Sequence, residues 1–262
     1  MTALADAYDR WIRAFHESAE DGVRLICLPA AGESANSFFA LSSALPPSVA
    51  TRCVQYPGRQ DRGDERTTAD VHGLAADLLQ ALEGHLDWPY ALFGHGMGAA
   101  VAFELARLLE RGAGPDPTAL LVSGRRAPAV LRDERARSEG GGAEPEPLLP
   151  AGGDAVFIKG PEQGDAVLSA LRAEHRAAET YRCEAGAAVR CPLTVLVGDR
   201  DPGTTIEQAR AWRRHTTGEF DLRILPGERL VLQECATEVV NIISDVLLYV
   251  RPPADDGGSA GG

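Results

Sequence analysis

The stretch from Trp88 to Leu109 leaves this chain few ways to fold. Residues 88–93 are a short apolar run of strand type, residues 99–109 carry apolar side chains at helical spacing, and Gly94-His95-Gly96-Met97-Gly98 stands between them. A glycine in so short a connection admits backbone angles that cost other residues strain. A strand turning sharply into a helix is the unit from which parallel, helix-covered sheets are built.

The rest of the chain repeats that alternation. Residues 23–28 form a short apolar strand that ends in the loop 29–34; a helix is expected over 35–45 and a second strand over 49–56. Val71, Leu74, Leu78, Leu79 and Leu82 fall at helical spacing within 71–85, ahead of the glycine-rich turn. Residues 119–123, 193–197 and 222–225 are β-type runs, and 166–181 again has helical spacing. Strands alternating with helices predict a mostly parallel sheet covered on both faces. Between 125 and 164 the pattern breaks, and 135–154, rich in Gly, Glu, Pro and Arg, reads as an irregular loop. The expected organisation is one α/β domain over 1–253, with an insertion at about 126–180 and a disordered tail over 254–262.

Composition excludes several classes of function. A formal net charge of −12 argues against a nucleic-acid partner, which requires clustered cations. The five cysteines are odd in number and lack framework spacing, so they read as reduced thiols, and no metal-ligand spacing joins Cys to His. No apolar run approaches a membrane span, and residues 1–22 lack the pattern of a signal peptide, so a cytoplasmic location is expected.

The turn at Gly96 has the outline of a nucleophile elbow. In the G-x-S-x-G form a central serine is presented above the sheet on a strained strand-to-helix turn. Here the central residue is Gly96, which has no side chain. Further elements surround it in order: Leu28-Pro29-Ala30-Ala31-Gly32, Tyr56-Pro57-Gly58-Arg59-Gln60-Asp61-Arg62, Pro89-Tyr90-Ala91-Leu92-Phe93-Gly94-His95, and Ala102-Phe103-Glu104-Leu105-Ala106. Ser123-Gly124-Arg125-Arg126-Ala127-Pro128, Gly198-Asp199-Arg200-Asp201-Pro202 and Leu225-Pro226-Gly227 follow. Over residues 11 to about 243 the chain resembles the type II thioesterases. Those α/β-hydrolases serve polyketide synthases and nonribosomal peptide synthetases by cleaving acyl groups from carrier-protein phosphopantetheine. The resemblance implies an α/β-hydrolase fold with a lid insertion and no cofactor.

The departures from that family fall on its chemistry. Gly96 is the vacant nucleophile position, Arg229 stands in the histidine slot after Pro226-Gly227-Glu228, and the family's Pro-His-Ala-Gly-Gly loop reads Pro29-Ala30-Ala31-Gly32-Glu33. Only the triad acid is retained, as Asp201. Acyl transfer through serine needs a hydroxyl and a base, and an arginine stays protonated at physiological pH. By the resemblance, the oxyanion hole would be the backbone N–H groups of Ala31 and Met97, which survive side-chain replacement. Asp201 is expected to pair with Arg229, and Glu228 joins them as a candidate catalytic carboxylate. Glu33 and His95 are assigned to the pocket, with plain alternatives beside each: a solvated loop carboxylate for Glu33, and support of the turn for His95. Glu174 reads as a salt-bridge residue, Arg59 and Arg62 as holding the loops or, by the resemblance, meeting the phosphopantetheine, with the structural role favoured, and His72, His85, His175 and His215 as surface or packing residues.

The function expected from these residues is non-hydrolytic chemistry on an acyl or polyketide intermediate: cyclisation, elimination or isomerisation. The intermediate would be free or carried on phosphopantetheine. A binding protein that docks on a carrier protein or synthase is the alternative from another class, and water-mediated thioester hydrolysis with Asp201 or Glu228 as base is a third.

Overall fold

The structure is a computed structural model that describes residues 2–19, 22–65, 70–86, 89–131, 161–227 and 236–248. Among the described residues, seven strands make one sheet: β1 (Ile12–Arg13), β2 (Val23–Leu28), β3 (Val49–Val54), β4 (Tyr90–His95), β5 (Ala119–Ser123), β6 (Leu193–Gly198) and β7 (Phe220–Leu225). Their spatial order is β1-β3-β2-β4-β5-β6-β7, and only β1 runs antiparallel to its neighbour.

The helices are α1 (Thr2–Trp11), α2 (Phe39–Ala44), α3 (Val71–Leu82), α4 (Met97–Leu108), α5 (Pro161–Thr180), α6 (Ile206–Arg210) and α7 (Ala236–Leu248). Period-two alternation along the strands decides which helices they meet. Ile26, Leu28, Tyr90, Leu92, Leu120, Val122, Val195 and Val197 pack with α3, α4 and Trp212. Leu25, Cys27, Ala91, Phe93, Ala119, Leu121 and Leu196 pack with α2 and α7. Burial on both faces explains why the central strands read as unbroken apolar runs.

The elements fall close to where the sequence places them, with informative shifts. The elbow strand occupies 90–95 rather than 88–93, and α4 begins at Met97 rather than at 99. The chain therefore passes from strand to helix through Gly96 alone. The expected helix over 35–45 is a 3-10 turn, Ala35–Phe38, continued by α2. Helices α1 and α7 extend the architecture beyond the sequence reading. The expected loop at 135–154, most of the insertion and the tail after 253 lie outside the described residues.

Gly94 and Gly98 make the close approach possible. A Cβ at Gly98 would stand 2.0 Å from the carbonyl oxygen of Leu28, and one at Gly94 would stand 2.3 Å from that of Gly98. Helix α4 thus rests on β2 and β4 by backbone contact, which brings the Gly96 turn to the carboxyl ends of the central strands, the edge where open α/β sheets place ligands.

Candidate active site at the carboxyl edge of the sheet

Gly96 adopts φ 53°, ψ −117°, an elbow geometry that a residue with a Cβ enters only under strain. Its N–H donates to the carbonyl of Ser123 at 2.9 Å, which fixes the turn against β5. A Cβ at this position would lie 2.8 Å from the Cβ of Ala30. The turn itself is the strained geometry in which the elbow form holds a serine, so what a side chain at this position would disturb is the approach of Ala30 on the loop after β2.

His95 supports the elbow. Its Nδ1 lies 2.8 Å from the hydroxyl of Ser123, and its ring packs over Gly124, where a Cβ would meet Cε1 at 2.7 Å. Ser123 is buried and paired in register with His95, so their contact is set by the β4–β5 ladder.

The loop that carries Ala31 is pinned on both sides of that residue. The N–H of Ala30 donates to Glu33 Oε2 at 3.4 Å, and the N–H of Gly32 donates to Glu174 Oε2 at 2.7 Å. Neither Ala31 N–H nor Met97 N–H makes a backbone hydrogen bond among the described residues. Glu33, with its carboxylate folded onto its own loop, is half-buried.

Glu174 is wholly buried on α5 and receives Arg59 through two bonds, Nε to Oε1 at 3.0 Å and Nη2 to Oε2 at 2.5 Å. This is the salt bridge expected of it. Burial raises the Glu174 carboxyl above the ordinary range, opposed by the Arg59 charge and by the Gly32 amide. Beside it the Tyr56 hydroxyl is buried, and its acidity is suppressed first by burial and then by the nearby charges of Glu174 and Glu33. Arg62 holds the same segment: it donates to the carbonyl of Gln55 at 2.7 Å, pairs with Glu65, and lies over the Trp11 ring at 4.6 Å. Hydrogen bonding from Arg62 holds the Glu65 carboxyl down at about 2.

Asp201 follows β6 at the same edge of the sheet. Its Oδ1 accepts the N–H groups of Gly203 at 2.7 Å and Thr204 at 3.2 Å, so the side chain is fixed by its own turn. With Gly198, Asp199, Thr204 and Glu207 it lines a recess of about 380 Å³. Gly227 is brought alongside, its N–H donating to Asp199 Oδ1 at 2.8 Å and its carbonyl accepting Arg200 N–H at 3.0 Å. Glu228 and Arg229 lie outside the described residues, and so does the expected Asp201–Arg229 pair.

Four charged or polar groups settle into structural roles. Arg125 donates to the carbonyl of Ala178 at 2.6 Å, capping the last turn of α5, and burial lowers it to about 10. His215, buried against Phe103 and Trp212, lies with Nδ1 2.8 Å from the carbonyl of Ala187 and accepts Ala129 N–H at Nε2. That pairing requires the neutral ring protonated on Nδ1. His72 donates through Nε2 to the Arg182 carbonyl, and His85 stacks on Tyr8. Cys27, Cys53, Cys183 and Cys191 are buried, and none forms a disulfide among the described residues. No group of three or more potential metal ligands occurs among the described residues, and no helix among them is long and apolar enough to cross a membrane.

A parallel sheet, a glycine-framed elbow and a loop of backbone donors at one edge define an α/β-hydrolase, and the chain belongs to the thioesterase family, whose domain profile matches residues 23–247. It is 43% identical over 251 residues to the thioesterase PikA5 of Streptomyces venezuelae, covering 94% of this chain and 88% of that one. It is 39% identical over 249 residues to a probable cadicidin biosynthesis thioesterase of Streptomyces griseus, covering 94% and 68%. Among solved structures it resembles the type II thioesterase BorB from the borrelidin biosynthetic cluster, with a TM-score of 0.76, 38% identity and coverage of 92% and 97%.

The sequence gives no sign of the Glu174 contact that holds the loop or of the Ser123 contact that holds the elbow. Glu174 and Gly32 are 142 positions apart, and nothing local in either segment announces the partner. The Ser123 hydroxyl was equally silent, because a serine ending an apolar strand carries no signal of its own.

Proposed function

We propose that this protein acts in a polyketide or nonribosomal peptide pathway on an acyl or polyketide intermediate, and that its chemistry is not serine-dependent hydrolysis. It catalyses a cyclisation, elimination or isomerisation in which the N–H groups of Ala31 and Met97 stabilise a developing oxyanion or enolate, a role that needs no nucleophile. Asp201, Glu228 and Arg229 supply the charged groups of the site. The pathway assignment is supported by relatives described as thioesterases of biosynthetic pathways, among them the type II thioesterase YbtT of the yersiniabactin NRPS/PKS pathway, 26% identical to this chain. Phosphopantetheine on a carrier protein is the proposed handle of the intermediate.

The observation that carries the reading is the closure of Ala30 over Gly96 while the elbow itself is kept. A Cβ at Gly96 would press on Ala30, which supports the reading of a turn no longer fitted to a side chain, with the N–H groups of Ala31 and Met97 as the proposed donors beside it. Arg229, fixed in its protonated form, cannot replace the lost base.

The test compares Asp201→Asn and Arg229→Gln in a strain lacking the gene, each variant first shown by circular dichroism to be folded. Loss of pathway product from both supports a catalytic site. Full restoration of product by both would sink the catalytic reading and favour an accessory protein that docks on a carrier or synthase.

A further inference from the structure

The loop bearing Ala31 is held by two carboxylates of different origin. Glu33 belongs to the loop and takes the Ala30 N–H; Glu174 comes from α5 and takes the Gly32 N–H. Leu171, one turn earlier on the same face of α5, presses its Cδ1 where a Cβ on Gly32 would come within 2.6 Å, and Gly32 itself sits at φ +84°. The loop is thus gripped at Gly32 by a hydrogen bond and by an apolar contact from one helix.

An ion pair that only fastened α5 to the core would need Arg59 and nothing more. Glu174 instead shares Oε2 between the Arg59 guanidinium and the Gly32 amide. Three N–H donors on one buried carboxylate satisfy its charge, and each fixes its direction. With the amides of Ala30 and Gly32 both committed, the one between them is left over for another acceptor.

We propose that Glu174 is a positioning residue for the oxyanion loop, holding Gly32 so that the Ala31 N–H stays turned to the space above Gly96. This rests on the reading of Ala31 and Met97 as the oxyanion donors. Arg59 acts through Glu174 as its counter-ion, so the geometry of the site depends on the helix that follows the insertion.

The experiment uses the full chain labelled with ¹⁵N, comparing the unaltered protein with Glu174→Gln and with the neutral double variant Arg59→Gln/Glu174→Gln. The double variant leaves no buried charge without a partner, which keeps the comparison usable if the single variant does not fold. In a folded variant the Gly32 amide resonance is expected to move upfield. Amide hydrogen exchange at residue 32 is expected to speed up at least tenfold relative to the amides of β5, which a general loss of stability would accelerate alike. Hexanoate serves as the anion probe: in the unaltered protein it shifts both Ala31 and Met97, and in the variants the Ala31 shift is lost while that of Met97 persists. Unchanged relative exchange at 32, or hexanoate shifting Ala31 as before, overturns the proposal. If hexanoate shifts neither amide in the unaltered protein, the oxyanion assignment itself fails, while the exchange comparison still decides whether Glu174 positions the loop.

Discussion

Replacing Gly96 by serine is expected to destabilise the protein and restore no hydrolysis. A side chain at φ 53°, ψ −117° costs about 1–3 kcal/mol in backbone strain. The new Cβ would begin 2.8 Å from that of Ala30, and overpacking of this kind costs about 1–3 kcal/mol before the loop yields. If loop movement relieves part of the second cost, the sum is about 2–4 kcal/mol, or a fall of roughly 5–15 °C in Tm for a domain of this size. Calorimetry on Gly96→Ser and Gly96→Ala should show the same loss, because the Cβ and not the hydroxyl is responsible. Ala30→Gly in the same chain should return at least about 1 kcal/mol, since two touching residues do not act additively. A Gly96→Ser protein within about 0.5 kcal/mol of the parent, or no coupling to Ala30→Gly, would show that the loop has not closed on the elbow. Thioester cleavage and labelling by a fluorophosphonate probe are both expected to be absent from Gly96→Ser, because Arg229 cannot accept the serine proton. Gly96→Ser with Arg229→His is the change that tests whether an ancestral pocket remains.

Two further outcomes follow from groups around the site. Glu65 is held at about 2 against an ordinary value of 4.5, so its contribution is present above pH 4.5 and is lost as pH falls towards 2; the slope of Tm against pH over that window should flatten in Glu65→Gln, and an unchanged slope would mean that the Arg62 bond is not maintained. Gly98→Ala places a Cβ 2.0 Å from the Leu28 carbonyl, a backbone contact with nowhere to go, and should cost more than about 4 kcal/mol in urea unfolding; a mild effect would mean that α4 can lift off β2.

How much of this was legible in the sequence depends on whether a feature is local. The alternation of apolar runs gave the parallel sheet, and Gly94, Gly96 and Gly98 marked the elbow, because the strand period and glycine's special angles are written in neighbouring residues. The two-residue shift of β4 shows where such reading weakens, since Tyr90 is fixed by pairing with Arg24 across the sheet rather than by its own sequence. Vacancy at Gly96 was visible, but its closure by Ala30 was not, because alanine in a loop says nothing about what it touches. Glu174 could be read as a salt-bridge residue from its place in the family pattern, yet its bond to Gly32 joins segments that only the folded chain brings together.

The first dozen residues reach further than their place at the sheet's edge suggests. The Trp11 carbonyl accepts the N–H of Gln55 at 2.7 Å, its indole lies beneath Arg62, and Arg13 pairs with Asp61. The segment braced in this way is the one that presents Arg59 to Glu174. A shortened form beginning after β1 would keep every residue of the elbow, of its donors and of the acidic turn at Asp201. It would nonetheless lose the contacts that brace the segment carrying Arg59, so expression boundaries drawn from the family match at residue 23 would remove part of what holds Glu174 and Arg59 together.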